Sequence, residues 1–381
     1  MRWRLRGRRR EPLVGVVVPA YGVEQWLPEA LASLTHQEHT AWRAVVVDDG
    51  SPDRTGEIAE ELARGDDRIR VLHTDNGGLG AARNRGVAAL LADGPTVDHL
   101  GFLDSDDVLP PRALADLVGS LEASGSDFAV GSVLRWEAPP PQGAGLHEPP
   151  WVRRLHTPPR TGARIADHPE VLGDVFAWNK LFRRSFWEAA DLSWPERIRY
   201  EDQPTTTRAY LAGTFDVLAE PVYHWRIRSD GSSITQQRSS VEDLVDRWET
   251  KRMALASVRT HGDPRVTEVF VDRVLPGDLW RYFELVPGCS DAWWRLLRDG
   301  VLELWGGRSL VHSGLPPVHR LCGYLVERDR REEAAALMTW VATLPGPVPR
   351  SPDGERLAVP ADVVRPGTLP DEALAVRPHE R

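Results

Sequence analysis

Residues 99–111 read HLGFLDSDDVLPP and crowd three carboxylates, Asp104, Asp106 and Asp107, directly behind an apolar run. Neighbouring carboxylates repel one another unless water, a cation or a positive partner relieves them. The cluster is therefore either a solvated loop or a place where something positive belongs. A second acidic pair, Glu201-Asp202, stands in RYEDQPTT at the start of a helical pattern, a place where acids are favoured in any case. Further upstream, TDNGGLGAARNRG (74–86) combines Asn76, Gly77 and Gly78, which permit close backbone approach, with Arg83. It is not a Walker-type loop, since no Gly-Lys-Ser/Thr follows.

The elements that must position these residues are short apolar runs: LVGVVV (13–18), AVVV (44–47), IRVL (69–72) and LGFL (100–103). They are nearly continuous rather than alternating, as strands covered on both faces are. Helical patterns separate them. Leu27, Ala30, Leu31 and Leu34 share one face, as do Leu114, Leu117 and Leu121. Ser51 is expected to cap the helix of SPDRTGEIAEEL, with Pro52 as its first residue. This alternation predicts an α/β fold built on a parallel sheet. Ligands of such sheets collect at the carboxyl ends of the strands. PAYG, DDGSPD, TDNGGLGAARNRG and DSDD follow the four strands in that order, and together they are more than turn chemistry.

Composition narrows the class. The chain has 381 residues, 41% apolar and 27% charged, enough for one large domain or two. Its net charge is -9; with the six arginines of MRWRLRGRRR set aside, the rest is near -15, which argues against a nucleic-acid partner. Cys289 and Cys322 are far apart in sequence, as suits a reducing cytosol rather than a disulfide scaffold. No stretch reaches the roughly 18–20 apolar residues of a spanning helix. The expected location is the cytoplasm, with the basic leader either disordered or touching anionic lipid at the inner membrane face.

Taken in order, VVVPAYG, VVVDDGSPDRT, NGGLGAARNRG, FLDSDD and YED resemble the family 2 glycosyltransferases of GT-A fold, over roughly residues 13–240. The resemblance implies a Rossmann-like, mostly parallel sheet flanked by helices and a nucleotide-sugar donor, UDP-linked. Pro19 and Ala20 would shape the backbone around the base, Tyr21 would stack on it and Asp49 would accept its pyrimidine N–H, with Asp48 supporting the turn. Asn76, Gly77 and Arg83 would face the donor phosphates. Asp104-Ser105-Asp106 matches the DXD element, which implies Mn2+ or Mg2+ held first by Asp106, with Asp104 on ribose or metal. Asp107 is expected to cap a helix starting near Pro110. Asp202 aligns with the catalytic base, implying inversion, and Glu201 would orient the acceptor hydroxyl. His224 is either a third metal ligand or a packed polar residue. Lys180 in WNKLFRRSF is either acceptor-side or structural, and Arg226 and Ser232 are further candidates for closing over the diphosphate.

The domain expectation is a basic tail at 1–12, a transferase domain at 13–240, a smaller helical region at 241–344 and a proline-rich tail or linker at 345–381. Residues 136–175 read as a long loop. The helical region resembles extensions of transferases that act on teichoic-acid-type polyol phosphates or other surface glycans, and is equally suited to homo-oligomer formation. A nucleotidyltransferase of related fold and a non-catalytic sugar-nucleotide-binding module are the rival readings. The first usually carries a Gly-rich basic loop after the first strand, which PAYGVEQW lacks.

Overall fold

The computed structural model describes residues 10–92, 96–137, 145–227, 240–365, 367 and 369–380. The basic leader up to position 9 and Ser232 lie outside these. The chain forms two compact units, Met1–His168 with Asp174–Gly231, and Pro169–Gly173 with Ser232–Arg381.

The first unit is a nine-stranded sheet. Strands β1 (Val14–Ala20), β2 (Trp42–Asp48), β3 (Ile69–His73) and β4 (His99–Phe102) are the four apolar runs, paired in parallel in the order β3-β2-β1-β4. Every residue of β1 and β4 is buried, which is why these segments show no alternation. The sheet continues through β5 (Phe128–Glu137), the two-residue β6 (Leu146–His147), β7 (Arg160–Ala163), β8 (Lys180–Arg183) and β9 (Phe215–Ile227). Here the pairing is mixed. β8 inserts antiparallel between β4 and β5, β9 runs parallel to β5, and β7 is antiparallel to β9.

Helices α1 (Leu27–Thr35) and α4 (Ala113–Ser124) bury the predicted leucine faces in one core with Val14, Val16 and Val18, α4 lying against β5 and β9. Helix α3 (Leu79–Ala92) covers the opposite face, where a Cβ on Gly86 would stand 2.3 Å from Val17. Helix α2 (Thr55–Ala63) starts later than expected, and Asp53 rather than Ser51 receives the Thr55 amide at 3.0 Å. Helix α4 likewise begins without a side-chain cap, so Asp107 is not its cap. The described part of 136–175 is not one long loop: besides β6 and β7 it holds α5 (Pro150–His156) and two 3-10 turns. Helices α6 (Arg184–Ala189) and α7 (Asp202–Ala212) complete the unit.

The second unit is helical: α8 (Val241–His261), α9 (Pro264–Val269), α10 (Leu279–Phe283), α11 (Asp291–Trp305), α12 (Pro317–Glu327), α13 (Arg331–Thr343) and α14 (Asp371–Leu374). Ser240 caps α8 by accepting from the Asp243 amide. The segment after 344 is no free tail. It packs Leu357, Val364, Ala373 and Val376 into the unit and returns Glu380 to the buried Arg320 at 2.5 and 2.9 Å.

Candidate functional site

The site is built where the four parallel strands end. Pro19 and Ala20 close β1 in register with Val47 and Asp48 of β2, and the Ala20 carbonyl accepts from the Asp49 amide at 2.9 Å. Tyr21 follows, a residue 53% exposed and open to a stacking partner. Asp48 supports its turn, accepting from the Ser51 amide at 3.1 Å and bonding His73 at 2.9 Å.

Asp49 is buried and engaged. Its carboxylate accepts from the Gly77 and Gly78 amides at 2.9 and 2.8 Å, from the Thr74 hydroxyl at 3.1 Å and from Arg85 at 3.2 Å. A carboxylate offers about four lone-pair sites, so these donors occupy it. The geometry makes Asp49 the clamp that ties the Asn76-Gly77-Gly78 loop to β2, where a pyrimidine contact was expected. Asn76 itself is exposed. Arg85, which sequence reasoning passed over, is the outer half of the clamp; its position two residues after Arg83 carried no distinguishing signal.

Arg83 also has a different surrounding from the one expected. It is 2% exposed, and its guanidinium bridges Asp104 at 2.8 Å and Glu201 at 2.5 Å. Burial works against its charge, but Asp104, Glu201 and Asp202 outweigh it and hold the guanidinium protonated. Its two terminal nitrogens are committed to carboxylates and its Nε is buried without a hydrogen-bond partner among the described residues, so the guanidinium is enclosed rather than turned out toward a diphosphate. Glu201, expected to orient an acceptor hydroxyl, is buried on the other end of this bridge. Burial pushes its carboxyl up to about 7, with Arg83 pulling down and Asp202 adding to the rise. The helix carrying Arg83 comes this close because position 80 is glycine: a Cβ there would stand 2.0 Å from the Pro195 carbonyl oxygen.

In the DSDD loop the three carboxylates part company. Asp104 is part-buried, its amide donating to the Tyr223 hydroxyl at 3.1 Å. Ser105 is buried and Asp106 half-buried. Asp107 turns inward, accepting from the Arg226 amide at 2.6 Å and from Tyr223; burial, then Asp106 and Asp104, push its carboxyl well up. Arg226 is occupied with the Asp106 carbonyl at 2.7 Å and Glu29 at 2.5 Å. Asp104 and Asp106 are hard oxygen donors of the kind a divalent cation takes, although Asp104 already shares one oxygen with Arg83, and Asp107 drops out of the set. His224 does not join them: among the described residues no three His, Cys, Asp or Glu side chains gather as metal ligands. It is held by reciprocal backbone bonds to Val108, and burial lowers its imidazole.

Asp202 opens α7, half-buried, with Oδ1 accepting from the Gln203 amide at 2.9 Å. Lys180 resolves as structural. It is fully buried and donates to Asp174 Oδ1 at 2.5 Å, to the Asp174 and Phe176 carbonyls and to Asn179. The Asp174 carboxylate also meets His156 Nε2 at 2.7 Å. A recess of about 440 Å³ near His99 is not this site. It lies at the amino ends of β1 and β4, and its arginines 10, 183 and 184 are each paired with a carboxylate.

A family model described as glycosyl transferase family 2 matches residues 15–189. The uncharacterized glycosyltransferase EpsJ of Bacillus subtilis is 34% identical over 254 residues, 63% of this chain and 69% of the relative. The chain belongs to glycosyltransferase family 2. Another family relative is the poly(ribitol-phosphate) beta-N-acetylglucosaminyltransferase TarS of Staphylococcus aureus, 28% identical over 70% of this chain and 44% of its own. The solved structure of TarS 1–349 in complex with UDP-GlcNAc matches with a TM-score of 0.68 at 19% identity, covering 91% of this chain and 96% of that one. The fold is accordingly the GT-A fold, and the chain is a glycosyltransferase. Among the described residues no helix is long and apolar enough to cross a membrane.

Proposed function

We propose that this glycosyltransferase moves a sugar from a UDP-linked donor to a hydroxyl of a surface glycan or polyol-phosphate acceptor, with inversion, using Asp202 as general base. The observation that carries the reading is the Asp104–Arg83–Glu201 bridge. One buried guanidinium joins the DSDD loop to the residue before Asp202, so the two acidic motifs belong to one site. The TarS name and its UDP-GlcNAc complex support the donor and acceptor classes.

Asp104 and Asp106 would hold Mn2+ or Mg2+, which when bound supplies neutralisation of the departing nucleoside diphosphate. Tyr21 stacks on the base, and the loop pinned by Asp49 and Arg85 presents its backbone to the donor. Asp202 takes the acceptor hydroxyl proton. The hydroxyl oxygen bonds to the anomeric carbon as the bond from that carbon to the diphosphate breaks, its electron pair leaving with the diphosphate. Attack opposite the leaving group inverts the centre. Glu201 and Arg83 act as positioning residues, fixing the first turn of α7 against the DSDD loop.

Nucleoside diphosphate release from a panel of sugar nucleotides tests this, with Mn2+ or Mg2+ against chelator. UDP release that needs the metal and disappears in Asp106→Ala is expected. Equal donor affinity in chelator and metal would remove the metal assignment. Pyrophosphate release would instead indicate nucleotidyl transfer, and donor binding without turnover a binding module.

A further inference from the structure

Tyr223 connects the DSDD loop to an aromatic stack that neither the donor nor the base assignment uses. Its ring stacks on Trp178 at 4.0 Å and 19°, and Trp178 stacks on Phe176 at 4.3 Å and 18°. Trp151 and Trp225 flank Phe176 at 5.7 and 5.8 Å, each tilted by 47°. Burial falls along the series: Tyr223 and Trp178 are buried, whereas Phe176, Trp151 and Trp225 are only half-buried. Three contiguous large rings kept partly in water beside a reaction centre are the kind of apolar surface that marks a ligand site.

The backbone beneath these rings is held hard. The Phe176 carbonyl accepts from the buried Lys180 ammonium at 2.7 Å, and Lys180, Asp174 and His156 form one enclosed charged network. The preceding residue, Val175, lies through its carbonyl 3.2 Å from Thr206 Oγ1 of α7, whose single proton is shared with the nearer Asp202 carbonyl at 2.9 Å. The segment 174–180 thus carries aromatic rings and also anchors the turn that bears Asp202. The stack starts at the DSDD loop, where the Tyr223 hydroxyl accepts from the Asp104 amide, and Trp225 precedes Arg226, whose guanidinium donates to the Asp106 carbonyl.

We propose that Trp151, Phe176 and Trp225 form an acceptor shelf for a pyranose ring of an uncharged glycan; this rests on the reading of Asp202 as base and of the DSDD loop as donor site. A pyranose offers a face of axial C–H groups that an aromatic ring can cover, and aromatic side chains supply large rigid contact area. A ribitol- or glycerol-phosphate chain offers no such face and brings a charge with every unit, which calls for cations with free donors. The cation seated on these rings, Arg135 over Trp225 at 5.7 Å, is already paired with Glu137 at 3.2 Å. The charge balance of the shelf therefore suits a neutral sugar.

Saturation-transfer NMR on the full chain with Mg2+, with and without UDP, tests the shelf. The probes are the methyl pyranosides of glucose, galactose and N-acetylglucosamine, with ribitol 5-phosphate as the contrasting ligand. At least one pyranoside is expected to receive saturation on its ring C–H protons, and ribitol 5-phosphate none. Trp151→Ala with Trp225→Ala should weaken that binding about tenfold. Trp225→Tyr should retain most of it, and UDP affinity should stay within about twofold of the original. Binding of ribitol 5-phosphate in place of the pyranosides, binding of no pyranoside, or pyranoside binding indifferent to both tryptophan changes would each overturn the shelf. The wild-type arms decide even if the double variant does not fold. Failure of the wild type to bind UDP would overturn the nucleotide-site reading instead, while the arms without UDP still decide the shelf.

Discussion

At the scale of single residues, two side chains separate chemistry from positioning. Asp202→Asn keeps the size and the hydrogen bond to the Gln203 amide but removes the proton acceptor. General-base help is worth about 100- to 10,000-fold, so turnover should fall on that scale with UDP-sugar affinity unchanged, read by acceptor kinetics beside calorimetric donor titration. Arg83 makes the opposite case. It touches no reacting group, yet Arg83→Met would strand Glu201 as a buried carboxyl without its cation. Breaking a buried pair costs about 3–5 kcal/mol, so chemical denaturation should show a loss of that order. Arg83→Lys keeps the charge but cannot reach both carboxylates with one fork, and should recover stability only in part.

At the scale of elements, the frame of α7 is the Asp174 network. The Asp174 carboxyl is held well below the ordinary carboxylate range: burial opposes its charge, but Lys180 and His156 outweigh burial. Its value in the unfolded chain is about 3.9, so the folded protein releases this proton more readily. The resulting stabilisation is complete above about pH 4 and is lost as pH falls through the lower folded value. Asp174→Asn should therefore destabilise by about 3–5 kcal/mol at pH 7. The difference from wild type should narrow below about pH 4, as urea denaturation at a series of pH values would show. A constant difference across that range would mean the loss is steric rather than ionic.

At the scale of the whole molecule, we propose that the nucleotide site belongs to the unit ending at Gly231, and that the helical unit serves acceptor use or self-association. Within the helical unit, the returning segment closes over Arg320, which is 1% exposed and meets both oxygens of Glu380 and the Ala375 carbonyl. A chain ending at Leu344 leaves that guanidinium buried without its carboxylate. Its helical transition, followed by calorimetry, should lose about 3–5 kcal/mol. Full stability of the shortened chain would show that Arg320 finds water instead.

What the sequence determined by itself was whatever depends on local pattern. Continuous valine runs, leucines at helical spacing and turn-forming motifs behind each strand placed β1 to β4, α1 and α4, and the resemblance of the ordered motifs placed the chain in its family. Only the tertiary structure decided what each polar group faces, because that depends on partners far along the chain. Asp49 meets Gly77 and Arg85, Asp107 meets Arg226 and Tyr223, and Arg83 meets Glu201 rather than open solvent. His156 and Asp174 carried no motif at all, and β8 is a four-residue strand whose antiparallel insertion no local preference encodes. The proline-rich end reads as a linker because proline blocks helix and sheet hydrogen bonding. It packs nonetheless, since the buried charge of Arg320 requires a carboxylate and Glu380 supplies it.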